Sequence, residues 1–147
     1  ITPQSIGIAV TLPKGSVILA ADDSPMARSM IEQGLKAMGA PYIMTKTGQE
    51  AWDRLQAISE EARAEGKTVQ DKVALVLTDL EMPVMDGFTL TRNIKQDQRF
   101  KSIPVVIHSS LTGTANEGHV KTVGADAYVA KFVAKELALT IRQVLTH

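Results

Sequence analysis

The feature of this sequence that most constrains its fold is an alternation between short runs with strand character and longer amphipathic stretches. The strand candidates are Val17–Ala20, Tyr42–Met44, Lys72–Thr78, Ile103–His108 and Asp126–Ala130. The third is almost continuously apolar, which is typical of a strand covered on both faces of its sheet. The stretches with helical spacing are Pro25–Gly39, Gly48–Glu65, Asp86–Gln96, Thr114–Val123 and Glu136–Leu145. On the first helix the inward face includes Ala27, Met30 and Ile31.

Strands that alternate with helices form parallel βαβ units with right-handed crossovers. The pattern therefore predicts one doubly wound (flavodoxin-like) α/β domain over residues 16–147. Its expected architecture is a five-stranded parallel sheet in the order 2-1-3-4-5 with five helices. Residues 1–15 contain two prolines and two glycines, and we expect them to be a linker or the tail of a missing upstream domain.

Composition excludes several classes of function. The chain has 16 Lys+Arg against 16 Asp+Glu and no cysteine. A balanced charge disfavours a nucleic-acid surface, and the lack of cysteine excludes a thiolate metal site and a cysteine nucleophile. The three histidines, His108, His119 and His147, lack the local spacing of zinc ligands. The apolar runs are too short to cross a bilayer, so we expect no nucleic-acid partner and no membrane insertion.

Polar side chains follow four of the predicted strands. In a doubly wound sheet the ligand crevice lies outside the carboxyl ends of the strands, so these side chains are expected to share one cleft. They are Asp22, Asp23, Asp79, Ser109, Ser110 and Lys131. Each alone is an ordinary turn or surface residue. Together they bring three carboxylates, two hydroxyls and one ammonium group to one place.

Clustered carboxylates need a cation, since two of them about 4 Å apart repel by roughly 4 kcal/mol at an effective dielectric constant near 20. Oxygen ligands without an imidazole or a thiolate suit a hard ion such as Mg²⁺. A metal beside Asp79 and Lys131 indicates a phosphoryl site, where the Asp79 carboxylate attacks in line. Ser109 and Ser110 could then reach the phosphoryl oxygens.

The residues quoted so far resemble the receiver domain of bacterial two-component response regulators. The likeness covers roughly residues 16–146. The matching segments are Asp22–Ser24, Thr78–Gly87, Pro104–Ser110 and Gly124–Lys131. The run from Met82 to Gly87 is highly specific.

The resemblance implies a role for each matching residue. Asp79 would be the phosphoacceptor, and Asp22 and Asp23 would hold Mg²⁺, with Asp23 and Asp79 as direct ligands. The Glu81 backbone carbonyl would complete the metal ligands, and Ser109 would supply the hydroxyl that contacts the phosphoryl group. Lys131 would be the paired cation, and Tyr128 would be the switch aromatic. Such a domain is not an enzyme beyond its own phosphotransfer and autodephosphorylation.

Two departures from the receiver pattern narrow the likeness. Phe132 follows Lys131 where receivers usually carry proline, and a charged segment, Ser59–Lys72, adds length before the third strand. With the Ile107–Leu111 segment, these features resemble the receiver of CheV-type chemotaxis coupling proteins. That resemblance implies a CheA-type histidine kinase as phosphodonor and a cytoplasmic location. It also implies a missing CheW-like domain that docks the chemoreceptor array.

Two alternatives remain open. A haloacid-dehalogenase-like Mg²⁺ phosphatase also uses an aspartate at a strand end, but it needs a second aspartate two positions later, where this chain has Glu81. A pseudo-receiver would bind partners without carrying phosphate, which the complete set of site residues disfavours.

Overall fold

One parallel sheet of five strands organises the computed structural model, which describes residues 10–109, 124–130 and 134–145. The strands are β1 Val17–Ala21, β2 Tyr42–Thr45, β3 Val73–Asp79, β4 Val105–Ser109 and β5 Ala127–Ala130. Their order is β2-β1-β3-β4-β5 and all neighbours are parallel. This confirms the predicted doubly wound α/β fold.

Four α-helices accompany these strands in the described residues. They are α1 Pro25–Ala37, α2 Gly48–Ala64, α3 Gly87–Gln96 and α4 Ala134–Leu145. Ser24, Thr47 and Asp86 cap the first three by accepting a hydrogen bond from the backbone N–H three residues later, as N-cap residues do. The fifth predicted helix, Thr114–Val123, falls outside the described residues.

The sheet has an apolar cluster on each face. Leu19, Val76 and Ile107 point into the cluster that α2 and α3 cover. The neighbouring strand residues Ala20, Leu77 and Val106 point into the cluster beneath α1 and α4. Successive strand side chains alternate between faces, so the short apolar runs supply both clusters at once.

Met30 corrects the predicted inner face of α1. Ala27 and Ile31 are buried there, but Met30 is 40% exposed. It lies one residue before Ile31, about 100° around the helix, and therefore at the border of the buried stripe.

The chain before β1 packs against the domain. Val10 is buried in the cluster beneath α1 and α4, and its N–H donates to the Met38 carbonyl at 2.9 Å. The packed region therefore includes Val10, upstream of the expected boundary at Ser16. The identity of residues 1–15 as a linker stays a prediction.

The charged segment before β3 forms the end of a 17-residue helix and a short 3₁₀ turn, Val69–Asp71. Val69 is buried. The Gln70 side-chain amide donates to the Arg99 carbonyl at 2.8 Å and to the Ser102 hydroxyl at 2.7 Å. The charged segment Ser59–Lys72 is therefore held by side-chain hydrogen bonds against the chain that follows α3.

We expect the domain to lose stability in acid through Asp71 and Asp97. The Thr68 N–H and hydroxyl donate to Asp71, and Arg99 donates to Asp97; these contacts lower the pKa of both carboxyl groups below the ordinary 3.8. Because each pKa is lower in the folded chain, the stabilisation is present above about pH 4 and disappears as the pH falls through the folded value. Urea unfolding between about pH 5 and pH 3 should show the loss.

The matched variants for this prediction are Asp71→Asn and Glu61→Gln, the latter an exposed carboxyl group on α2. Asp71→Asn should flatten the dependence of unfolding free energy on pH, and Glu61→Gln should leave its slope in place. Equal slopes for Asp71→Asn and the parent chain would contradict the assignment.

No helix among the described residues combines the length and the apolar character that crossing a membrane requires.

Candidate functional site

Three buried polar side chains meet at the carboxyl end of the sheet. Asp79 is the last residue of β3, and His108 is its Cα partner in β4. Asp22 follows Ala21, which pairs with Thr78 on the other side of β3, so it reaches the level of Asp79. Relative exposures are 0% for Asp22, 2% for Asp79 and 3% for His108. One ligand atom from each residue lies within 4.8 Å of the others.

Asp22 is held by the turn between β1 and α1. Its carboxylate accepts a hydrogen bond from the Ser24 N–H at 2.9 Å, and its carbonyl accepts one from the Arg28 guanidinium at 3.0 Å. Its own N–H donates to the Thr45 carbonyl at 3.2 Å. An aspartate that bonds the backbone two residues ahead is a common turn former. Here the turn also fixes the carboxylate at the edge of the site.

Asp79 is followed by a loop that is anchored on the core and closed against α3. Leu80 and Met82 are buried, whereas Glu81 between them is exposed. The Gly87 N–H donates to the Leu80 carbonyl at 2.8 Å. The start of α3 therefore lies directly against the end of β3 and holds the backbone that follows Asp79.

Asp23 and Glu81 line an open cavity of about 570 Å³ beside the buried group. Both are exposed. Phe88 and Asp86 contribute to the same lining. Of the four predicted metal ligands, the structure thus brings Asp22 and Asp79 together with His108, and it places Asp23 and Glu81 along the adjoining cavity.

The other predicted site residues are only partly described. Ser109 is the last residue of β4, while Ser110 and Lys131 lie outside the described residues. Tyr128 is half-buried in β5, pairs with Ile107 and packs against the cluster under α2 and α3. It also borders a cavity of about 250 Å³ with Glu136, Leu139 and Thr140 of α4.

His108 is the member of the group that the sequence analysis missed. Local spacing excludes the histidines as zinc ligands, and the donor set predicted from the sequence contains oxygen atoms alone. The His108 Nδ1 lies 3.9 Å from the Asp22 Oδ2, across β3 in the sheet. An expected pairing of the fourth strand with the third, together with strand alternation, is the signal that could have placed it beside Asp79.

The loop after Asp79 contains a strained residue that offers a stability test. Val84 has φ +68° and is 93% exposed, and the left-handed region costs an L-residue about 1–2 kcal/mol. Asparagine tolerates this region better than a β-branched residue. We expect Val84→Asn to raise the free energy of unfolding by about 0.5–1 kcal/mol in urea titrations. Val84→Thr keeps the β-branch and should give no such gain; equal effects of both variants would refute the strain.

Comparisons with known proteins find similar sequences over most of this chain. A family model described as "Response regulator receiver domain" matches residues 18–142. The chemotaxis protein CheY1 of Helicobacter pylori is 30% identical over 115 residues, which are 78% of this chain and 83% of that protein. The chemotaxis protein CheV1 of the same organism is 28% identical over 128 residues, or 87% of this chain. The chain spans 37% of the length of CheV1.

A solved structure is similar to nearly the whole chain. The chemotaxis protein CheY4 of Vibrio cholerae superposes with a TM-score of 0.72 at 26% sequence identity, covering 88% of this chain and 98% of that one. The likeness in fold thus extends over most of this chain.

Proposed function

This chain belongs to the response regulator receiver domain family, and from that premise we propose that Asp79 is its phosphoacceptor in bacterial two-component signalling. The observation that carries the proposal is the buried Asp79 carboxylate at the end of the central strand, grouped with Asp22 and His108 within 4.8 Å. Two carboxylates this close favour a bound cation, because their charges repel in a medium of low dielectric constant.

The donor set of the buried group fits a divalent ion. We propose that the ion is Mg²⁺ and that Asp22, Asp23, Asp79 and the Glu81 backbone carbonyl hold it. The Asp22 carboxylate already accepts a hydrogen bond from the Ser24 N–H, and two further hydrogen bonds hold the Asp22 backbone, so part of its conformational freedom is lost before any ion binds. A bound Mg²⁺ would neutralise part of the negative charge that the carboxylates and a phosphoryl group bring together.

The proposed transfer is an in-line displacement at phosphorus. The phosphodonor is a phosphohistidine of a histidine kinase. A carboxylate oxygen of Asp79 forms a bond to phosphorus while the bond from phosphorus to the imidazole nitrogen of that phosphohistidine breaks, and the kinase imidazole leaves with the electron pair. The product is an acyl phosphate on Asp79. Lys131 would stabilise the phosphoryl oxygens by charge, and Ser109 and Ser110 would donate hydrogen bonds to them.

The proposed response to phosphorylation passes through β4 and β5. Ser109 would move toward the phosphoryl group, and Tyr128 would turn inward behind it. Support comes from the pairing of Tyr128 with Ile107, two residues before Ser109, which joins the two strands of the proposed response.

We place the domain in chemotaxis signalling, with a CheA-type histidine kinase as donor. An upstream CheW-like domain, joined through residues 1–15, would dock the chemoreceptor array in the cytoplasm, so that phosphorylation tunes receptor–kinase coupling or drains phosphoryl groups. The similarity to CheV1 over 87% of this chain supports the proposal. Beyond self-phosphotransfer and autodephosphorylation, we propose no enzymatic turnover.

A small phosphodonor tests the proposed function directly. Incubation with acetyl phosphate and Mg²⁺ should raise the intact mass by one phosphoryl group, and chelation of the metal should prevent the rise. Repeated turnover of phosphoesters by each chain would instead indicate a phosphatase. A complete lack of uptake would indicate a binding module that carries no phosphate.

A further inference from the structure

His108 brings a nitrogen donor into a group that is otherwise made of carboxylates. We propose that His108 is a ligand of the divalent ion at this site and that it shifts the preference of the site from Mg²⁺ toward first-row transition ions. This inference rests on the proposed function only in that the ion is the one expected beside Asp79.

The sheet fixes the direction of the imidazole. Leu77 and Val106 point to the face covered by α1 and α4, and residues two positions further along a strand point to the same face. Asp79 and His108 occupy those positions and are Cα partners. Ala20 likewise points to that face, and Asp22 follows it by two residues. All three side chains therefore approach one another from a single side of the sheet.

The distances are close to those of a formed site. The His108 Nδ1 and the Asp22 Oδ2 are 3.9 Å apart, and the group fits within 4.8 Å. Two ligands at about 2.1 Å from one ion lie about 3 Å apart when adjacent and about 4.2 Å apart when opposite. Small side-chain rotations would bring the three donors onto one ion.

The chemistry of the donors decides which ion is favoured. Mg²⁺ binds oxygen and gives up its water reluctantly, so an imidazole adds little to its affinity. Imidazole suits first-row transition ions, whose affinities rise from Mn²⁺ through Co²⁺ and Ni²⁺ for a given set of ligands. A buried His108, 3% exposed, would lose no solvent contact on binding. The nitrogen therefore raises affinity for Co²⁺ far more than affinity for Mg²⁺.

The test measures metal binding in protein that carries no polyhistidine tag. Calorimetry gives the affinities for Co²⁺ and Mg²⁺. We expect His108→Val to lower the affinity for Co²⁺ relative to that for Mg²⁺ by about tenfold or more. Valine suits a strand and removes the nitrogen. The matched control is the double variant His119→Ala with His147→Ala, which should leave the ratio unchanged. An unchanged ratio in His108→Val overturns the proposal.

A second measurement does not depend on the folding of His108→Val. The double variant retains His108 as its only histidine, since the chain has three. Pulsed electron paramagnetic resonance of Mn²⁺ bound to it should show hyperfine coupling to an imidazole nitrogen. Bound Mn²⁺ without that coupling would overturn the proposal while phosphoryl uptake with Mg²⁺ persists. Absence of both metal binding and phosphoryl uptake would instead contradict the proposed function.

Discussion

Asp79→Asn should abolish phosphoryl uptake and, in the absence of metal, should make the folded chain more stable. The amide has nearly the shape of the carboxylate but no anionic oxygen to attack phosphorus, so the mass increase with acetyl phosphate should disappear. Asp53→Asn, which removes an exposed carboxylate on α2, is the control and should take up phosphate normally. Uptake that survives in Asp79→Asn would place the acceptor elsewhere.

The gain in stability follows from the crowding of the buried group. Ligand atoms of Asp22 and Asp79 lie within 4.8 Å, where two negative charges repel by roughly 3 kcal/mol at an effective dielectric constant near 20. Lost hydrogen bonds offset part of this, which leaves an expected gain of about 1–2 kcal/mol in urea unfolding with a chelator present. Mg²⁺ should reduce the difference, because it stabilises the parent chain by binding the folded state. A less stable Asp79→Asn without metal would contradict the repulsion.

Gly87→Ala has the largest expected effect on stability. A Cβ on Gly87 would overlap the Asp79 carbonyl oxygen and lie 2.9 Å from the Leu80 Cα. These are backbone atoms and cannot rotate away. The methyl group must push α3 from the end of β3 and break the hydrogen bond from the Gly87 N–H to the Leu80 carbonyl. Overpacking and the lost bond together should cost about 3 kcal/mol.

Gly66→Ala is the matched control for this prediction. Gly66 has φ +72°, and a Cβ there would meet nothing within 4 Å. It therefore carries only the cost of the left-handed backbone, about 1 kcal/mol. In chemical denaturation the free energy of unfolding of Gly87→Ala should be well below that of Gly66→Ala. Phosphoryl uptake should slow only in Gly87→Ala, because there the Asp79 backbone moves. Equal losses for both variants would show that space at Gly87 is not limiting.

Local pattern predicted most of the fold because the elements follow from short-range rules. The observed strands and helices begin and end within two residues of the predicted positions over the described residues. The buried positions of α2, among them Ala51, Leu55 and Ile58, recur at the spacing of one helix face. Right-handed crossovers leave few sheet orders for such a chain, and the predicted order is confirmed.

The site was predicted less completely. Asp22 and Asp79 could be recognised because each follows an apolar strand, and carboxyl ends of parallel strands share one edge. Local sequence pattern does not indicate the conformation of Val84, nor does it indicate that Val10 packs against α1. The prediction that Met30 lies on the inward face of α1 is wrong, because helical spacing does not give the width of the buried stripe.

The sequence alone determined which side chains stand at the ends of the strands, because apolar periodicity and turn residues act over a few positions. Only the tertiary structure decided that His108 joins Asp22 and Asp79. That contact depends on the register of β4 against β3, and a shift of one residue would turn the imidazole to the other face of the sheet. Register is set by the packing of the whole sheet between its helices, which no single segment of the chain encodes.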